Sequence, residues 1–208
     1  MDNRAKLILD RLSDLIPTPQ SELNYKDNFQ LIVAVVLSAQ CTDKRVNEVT
    51  PNLFAKYPTA LNLANADIED VKRIIHSCGF YNNKAKNIIA LSKDLVEKFD
   101  GVVPDQMDKL TSLAGVGRKT ASVVLAVGFR IPAIPVDTHL IRVSQRLGLS
   151  THSDPYHIEQ DLRRRFDQGQ WIDVHHYLLL FGRYYCTAIN PQCANCVLKD
   201  ICKYKKKQ

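Results

Sequence analysis

The sequence lacks any apolar stretch long enough to cross a membrane. Spanning a bilayer takes roughly 20 consecutive apolar residues, whereas the run LIVAVVL at 31–37 is short and lies between Gln30 and Ser38. The first residues, MDNRAKLILDRLSDLI, mix acids with bases and have no small-residue cleavage site after a clean apolar block, unlike a secretion signal. We therefore expect a cytoplasmic protein with no membrane partner.

Strand patterns and repeats are also missing. No segment shows a sustained alternation of apolar and polar residues, no internal repeat is convincing, and the only low-complexity segment is the terminal KYKKK. Instead, helical periodicity recurs between Gly, Pro and Asn breaks, and a hydrophobic content of 45% over 208 residues is enough for a real core. The pattern predicts a mostly α-helical protein, with RIPAIPV at 130–136 as a connector between two helical groups.

Two segments have the pattern of amphipathic helices. NNKAKNIIALSKDLVEKFDG should end at Gly101, with one apolar face made of Ala85, Ile88, Ile89, Leu95, Val96 and Phe99. SDPYHIEQDLRRRFD offers Asp154 as N-cap and Pro155 as the first helical residue, with an inward stripe of Ile158, Leu162 and Phe166.

A third segment, NFQLIVAVVLSAQ, is apolar almost all round, which favours a central buried helix. Its β-branched residues leave a strand open as an alternative. The adjacent pair His175-His176 shows no ligand spacing, and we expect one ring inside and one outside a helix.

The charge balance points weakly to phosphates. Lys and Arg total 28 against 22 acids, which gives a net charge of +6 and a pI near 9.0. Proteins that approach nucleic acid are often basic, but charged stretches are more commonly solvated helix faces.

The stretch LAGVGRKTASVV has the pattern of a helix-hairpin-helix. Leu110 and Leu113 would end one helix, and the following glycines would turn the chain into a helix whose core stripe begins with Ala121, Val124 and Leu125. Glycines let backbone N–H groups approach a phosphate oxygen closely. The turn Gly115-Val116-Gly117, followed by Arg118 and Lys119, therefore favours phosphate binding over a plain helix–helix turn.

Four cysteines lie close together near the end of the chain. Cys186, Cys193, Cys196 and Cys202 form the pattern Cys-x6-Cys-x2-Cys-x5-Cys. In a cytoplasmic protein this pattern indicates a metal centre rather than disulfides. The residues alone leave both a structural zinc and a [4Fe–4S] cluster open. Cys41 and Cys78 stand alone in apolar contexts and are expected to be buried packing residues.

Together, LAGVGRKTASVV and the following PVDTHLIRVSQRLGL resemble the endonuclease III family of DNA repair glycosylases with lyase activity. The resemblance implies that Lys119 is the nucleophile and Asp137 its catalytic partner. On the residues alone, Asp137 would be a helix N-cap before the stripe that starts at Leu140. The resemblance also assigns a [4Fe–4S] cluster to the four cysteines.

The resemblance implies an all-α fold of two lobes, with DNA across the cleft between them. A central bundle would comprise residues 22–132, with the helix-hairpin-helix at about 108–128, and the cluster lobe would comprise 1–21 plus 133–208. The expected activity is removal of oxidised pyrimidines from duplex DNA, followed by strand cleavage at the abasic site. The protein is expected to act as a monomer. An adenine mismatch glycosylase and a non-enzymatic DNA-binding module are the alternatives, and Lys119 argues against both.

Further DNA contacts follow from the resemblance. It implies that Gln40 of LSAQCTD fills the space left by the flipped nucleotide. It also implies that Phe80 of GFYNNKA, at a position where relatives often have leucine, is a wedge that enters the duplex. The hairpin residues Gly115, Val116, Gly117 and Arg118, together with His139, complete the expected DNA-binding set. The loop 187–192, TAINPQ, lacks the basic residues that the family has there. Lys203, Lys205, Lys206 and Lys207 could substitute for them, but disordered, solvated charge is the more common role of such runs.

Overall fold

The computed structural model describes residues 2–204, and in this range the regular elements are all helices. No helix among these residues is long and apolar enough to cross a membrane. The α-helices are α1 (Asn3–Leu15), α2 (Asn28–Ser38), α3 (Asp43–Lys56), α4 (Ala60–Ala64), α5 (Ile68–Ile74), α6 (Tyr81–Phe99), α7 (Met107–Thr111), α8 (Arg118–Val123), α9 (Thr138–Leu147), α10 (Pro155–Arg165) and α11 (Trp171–Tyr184). A π-helical turn, Val124–Gly128, continues α8, and a 3₁₀ turn, Gln168–Gln170, precedes α11.

The chain forms two compact units. One unit consists of Glu22–Ile131, and the other combines the described residues up to Ser21 with those from Pro132 onward. Each unit has its own cluster of buried apolar side chains. The connector 130–136 is free of helix, as its two prolines predict.

Helix α2 is the centre of the Glu22–Ile131 unit. Asp27 caps its N-terminus by accepting a hydrogen bond from the Gln30 N–H at 2.8 Å, and every residue from 29 to 37 is buried. The predicted central helix is therefore confirmed, and the alternative strand is wrong. A helix buried on all sides can carry β-branched residues because tertiary contacts outweigh their weak intrinsic preference.

Helix α6 confirms the amphipathic helix predicted for the segment NNKAKNIIALSKDLVEKFDG. Its predicted face is buried or half-buried against the core of this unit, with α4 and α5 along it. The helix ends at Phe99, and the chain then turns through two left-handed residues, Asp100 at φ 52° and Gly101 at φ 78°. The left-handed turn that ends the helix therefore includes Asp100 as well as the predicted Gly101.

The second unit is built around α9 and α11. Gly182 of α11 lies so close to α9 that an added Cβ would come within 3.0 Å of His139 Cβ and Val143 Cγ2. Helix α10 begins as predicted, with the Asp154 carboxylate accepting the His157 N–H at 3.0 Å.

The expectation for the histidine pair of α11 is wrong. His175 and His176 are both buried, each at 4% exposure. Helix α11 is packed on more sides than its periodicity suggested, so the faces that carry His175 and His176 are both buried.

Candidate functional site

The hairpin turn depends on Gly115. This residue has φ +73°, and a Cβ added to it would lie 2.8 Å from the Asn87 Cβ on α6. Both the left-handed backbone and the close contact therefore require glycine. Gly117 differs, because its φ is −86° and an added Cβ would meet nothing within 4 Å.

Helix α6 also fixes the turn through a carboxylate. Asp94 Oδ2 accepts the Ala114 N–H at 3.1 Å, while its other oxygen pairs with the Lys98 ammonium at 2.6 Å. Within the turn, the Val116 N–H is donated to the Leu113 carbonyl at 3.1 Å, and the Val116 side chain is buried. Val116 thus shapes the turn from inside. Sequence reasoning missed Asp94, which lies 20 residues before the atom it holds.

Arg118 and Lys119 open helix α8, and both side chains are exposed. The N-cap of this helix is Gly117, which has no side chain to cap the first turn. Backbone N–H groups at a helix N-terminus bind anions well. The hairpin therefore places a lysine amine in solvent beside a place suited to a phosphate.

Asp137 is the N-cap of α9 in the other unit. Its Oδ1 accepts the N–H groups of His139 and Leu140, both at 2.9 Å. The second oxygen lies 3.2 Å from His139 Nδ1, and the Asp137 side chain is 12% exposed against 31% for His139. The cap expected from the residues alone is therefore present. These bonds hold the carboxylate in one orientation while part of it stays accessible.

Gln40 and Phe80 lie in two adjacent turns of the Glu22–Ile131 unit. Both have a left-handed backbone, with φ 53° and φ 58°, which non-glycine residues adopt at a cost of about 1–2 kcal/mol. A Cβ added to Gly79 would lie 3.3 Å from the Gln40 carbonyl oxygen. Gln40 is exposed, and Phe80 is 65% exposed, so both side chains project from this pair of strained turns.

The four cysteines of the 186–202 segment lie together in the second unit. Burial raises the pKa of Cys196, and the charges of Cys186, Cys202 and Cys193 raise it further, so all four thiols are close. Among residues 2–204, no three His, Cys, Asp or Glu side chains form a group that could hold one metal ion. A [4Fe–4S] cluster is larger than an ion and is held by four thiolates spaced more widely.

Polar groups already point at these sulfurs. The Arg146 guanidinium lies 3.3 Å from Cys186 Sγ, and the Tyr204 N–H lies 3.5 Å from Cys202 Sγ. Hydrogen bonds of this kind stabilise cluster-bound thiolates, so the residues fit the cluster. When bound, the cluster cross-links a segment that has little apolar content of its own.

Helix α9 supports the cysteine segment with two arginines that the sequence did not single out. Arg142 donates to the carbonyls of Gly182 at 2.7 Å and Cys186 at 3.0 Å, and burial lowers its pKa. Arg146 donates to the Thr187 carbonyl at 2.8 Å and stacks on Tyr204 at 4.2 Å. The cysteine segment is therefore held by the same helix that Asp137 caps.

Family comparison agrees with this arrangement. Residues 33–168 match the family described as HhH-GPD superfamily base excision DNA repair protein, and residues 186–202 match the iron–sulfur binding domain of endonuclease III. The chain is 46% identical to endonuclease III of Bacillus subtilis (strain 168), over 99% of this chain and 94% of that protein. The chain belongs to the endonuclease III family.

Other endonuclease III proteins match equally broadly. The protein of Escherichia coli (strain K12) is 42% identical, over 99% of this chain and 98% of its own length. A solved structure described as a trapped endonuclease III–DNA covalent intermediate, in an estranged-adenine complex, superposes with a TM-score of 0.92 at 43% identity, covering 98% of this chain and 97% of that one.

Membership of the endonuclease III family establishes the activity. The chain is a base excision repair enzyme, a DNA glycosylase for oxidised pyrimidines that also has AP lyase activity, and its substrate is DNA. Its cofactor is a [4Fe–4S] cluster. The expected all-α fold, with a helix-hairpin-helix and a four-cysteine cluster loop, is confirmed.

Proposed function

We propose that Lys119 is the nucleophile of this glycosylase and lyase and that Asp137 is its catalytic partner. The proposal rests chiefly on one observation: an exposed lysine in the first turn of α8, directly after a turn whose glycine geometry suits phosphate. In this arrangement the DNA backbone is bound beside the amine that attacks the sugar.

The chemistry requires a primary amine. Cleaving the N-glycosidic bond creates positive charge on the deoxyribose, and the Lys119 nitrogen bonds to C1′. The C1′–O4′ bond then breaks, which opens the sugar ring and gives a Schiff base. The iminium withdraws electrons and acidifies the C2′ proton. Loss of that proton gives an enamine, whose electrons then form a C2′–C3′ double bond as the C3′–O bond breaks, so the 3′ phosphate leaves and the strand is cut. A hydroxyl or water nucleophile forms no iminium and could not drive this elimination.

Lys119 must become neutral before it attacks. A free lysine with a pKa near 10.4 is only about 0.1% neutral at pH near 7.4, and a helix N-terminus lowers a lysine pKa by less than about one unit. We propose that desolvation on substrate binding, or proton transfer to Asp137 or the departing base, supplies the rest.

Asp137 would stabilise the charge that develops on the sugar. An ionised carboxylate held in one orientation opposes an oxocarbenium-like charge without reorganising during the reaction. Its two N–H contacts at 2.9 Å supply that fixed orientation.

Gln40 and Phe80 would open the duplex. The projecting Phe80 ring is suited to enter between base pairs, and the Gln40 amide can pair with the edge of the base left behind. Gly115, Gly117, Arg118 and His139 are proposed as contacts to the DNA backbone. We further propose that the enzyme acts as a monomer in the cytoplasm, next to the nucleoid.

Borohydride reduction on an abasic-site duplex tests the nucleophile. The wild-type protein should be trapped on DNA as a reduced amine, whereas Lys119→Gln should give no adduct and should lose about 1000-fold or more of the incision rate. Lys109→Gln is a matched control, because Lys109 is an exposed lysine on α7 of the same hairpin. The control should be trapped like the wild type.

The far-ultraviolet circular dichroism and the visible absorbance of the cluster must be the same in all three proteins. A Lys119→Gln protein with this intact fold and an undiminished adduct would refute the assignment.

A further inference from the structure

Cys41 and Cys78, which the sequence predicts to be isolated packing residues, lie close to each other. Cys41 follows α2 and is half-buried, and Cys78 precedes α6 and is 1% exposed. A Cβ added to Gly79 would lie 3.3 Å from the Gln40 carbonyl oxygen, so the two segments that carry these thiols are in contact, and the Cys41 thiol helps to raise the pKa of Cys78. The predicted packing role is confirmed for Cys78, which is part of the core, and Cys41 is partly buried against the same core.

A buried lysine faces the two sulfurs. Lys84, in the first turn of α6, is 5% exposed, and its Nζ has no hydrogen-bond partner in the described part of the chain. Burial lowers the pKa of Lys84, while the charges of Cys41 and Cys78 act in the opposite direction. A buried ammonium without a partner is costly, and a thiolate on either cysteine would compensate its charge.

The two sulfurs differ in their burial and in the charges around them. Burial raises the pKa of the Cys78 thiol to about 11, and neighbouring Cys41 adds to this, while Lys84 and Arg45 of α3 oppose it. Cys41 is the more accessible sulfur, so an oxidant reaches it first. Cys78 is enclosed next to it and in place to react second.

We propose that Cys41 and Cys78 are a modification site for a peroxide, which converts them into a reversible disulfide. The Cys41 thiol loses its proton, the thiolate attacks the O–O bond to give a sulfenic acid, and the departing hydroxide takes up that proton as one water. The Cys78 sulfur then attacks Cys41 Sγ, the S–O bond breaks, and a second water leaves with the Cys78 proton. One hydrogen peroxide accepts the two electrons that the two thiols give up.

Lys84 is the positioning residue of this site. Its ammonium favours negative charge on sulfur, which promotes attack on peroxide. The same charge stabilises the thiolate form of the reduced pair relative to the neutral disulfide, so the disulfide is easily reduced again. A positive charge in this place thus accounts both for the formation of the disulfide and for its reversal.

The disulfide would join the two turns that carry Gln40 and Phe80. Cys41 follows Gln40 directly, and Cys78 lies two residues before Phe80. A disulfide brings its sulfurs to about 2 Å, which limits independent movement of the two turns. Slower opening of damaged duplex is expected in the oxidised enzyme, and this consequence rests on the proposed roles of Gln40 and Phe80.

Mass spectrometry of the holoenzyme tests the disulfide without DNA. After limited hydrogen peroxide, denaturation and alkylation, four of the six cysteines should be alkylated. Trypsin should release residues 27–44 linked to residues 74–84, and dithiothreitol should restore all six. Unchanged visible absorbance of the cluster shows that the cluster cysteines did not react.

Cys41→Ser and Cys78→Ala are the matched controls, and both should remain fully alkylated at the other position. Full alkylation of wild-type Cys41 and Cys78, or a link from either residue to a cluster cysteine, would overturn the proposal.

Lys84→Met separates positioning from simple filling of space. Removing the charge should slow peroxide oxidation by about tenfold and should raise the oxidised fraction at equilibrium with a glutathione redox buffer. A variant with the same rate and the same equilibrium as the wild type would rule out the role of Lys84.

Incision of a damaged duplex is measured last, with oxidised and reduced wild type. Slower incision after oxidation, absent in Cys78→Ala, would support the link to duplex opening, and equal rates would refute that link alone. Detection of the disulfide by mass spectrometry would support the modification site even if the result for Lys119→Gln disproved the proposed nucleophile.

Discussion

A carboxylate that caps a helix can also be held ready for chemistry. Asp137 accepts two N–H groups of α9 with one oxygen, and its other oxygen faces His139. The cap accounts for the structural need for a side-chain oxygen at this position but not for a negative charge, because asparagine caps helices equally well.

The variant Asp137→Asn should therefore separate the two roles. It should change the free energy of unfolding by less than about 0.5 kcal/mol, because the cap is kept, and it should lower the glycosylase rate by about 10²–10³-fold, because the charge is lost. Chemical denaturation and single-turnover base release measure the two effects. Asp137→Ala should lose the rate and also about 1 kcal/mol of stability.

A rate for Asp137→Asn close to that of the wild type would leave Asp137 as a cap only.

Single residues were the hardest part to predict from sequence. Lys119 and Asp137 could be chosen because they lie in recognisable motifs. Cys41, Cys78 and Lys84 could not, because they come from three separate segments and no spacing links them. Only the fold brings their thiols and ammonium together.

At the scale of elements, the two glycines of the hairpin differ in what the fold requires of them. Gly115 has φ +73° and lies against Asn87, whereas Gly117 has ordinary backbone geometry and open space around it. The fold requires only the first glycine, so the second is available to let a DNA phosphate approach α8.

We expect Gly115→Ala to lower the free energy of unfolding by about 1–2 kcal/mol or more, because its backbone conformation is left-handed. Gly117→Ala should leave stability within about 0.5 kcal/mol but weaken binding to undamaged duplex. Thermal unfolding and fluorescence anisotropy with labelled DNA give the comparison. A Gly117→Ala protein that binds DNA as tightly as the wild type would contradict the close approach.

Helices with strong periodicity could be predicted almost to their ends. The capped start of α10 and the apolar face of α6 follow directly from residue spacing. The π-helical turn after α8 could not be predicted, because the run from Ala121 to Leu125 has ordinary helical periodicity. The contact of Asp94 with the hairpin turn was also hidden, since it joins two separate elements.

At the scale of the molecule, the cluster should stabilise only one unit. The segment from Cys186 to Tyr204 has little regular structure and depends on the cysteines and on hydrogen bonds from α9. The Glu22–Ile131 unit has a separate core around α2.

Removing iron with a chelator should therefore speed amide hydrogen exchange in residues 186–202 by about 100-fold or more, which corresponds to about 2.7 kcal/mol. Exchange in α2 should stay slow. Mass spectrometry of peptides resolves both regions. Equal protection of the cysteine segment with and without iron would contradict a structural role for the cluster.

Helix α1 is synthesised long before the residues that it contacts. Arg4 donates to the Leu147 carbonyl at 2.7 Å, and Arg11 contacts the Val197 carbonyl at 2.8 Å and Asp200 at 2.5 Å. During translation, the nascent helix must wait while Glu22–Ile131 leaves the ribosome with all the residues of its own core. Iron and sulfide are thus delivered to a chain whose hairpin has already been synthesised.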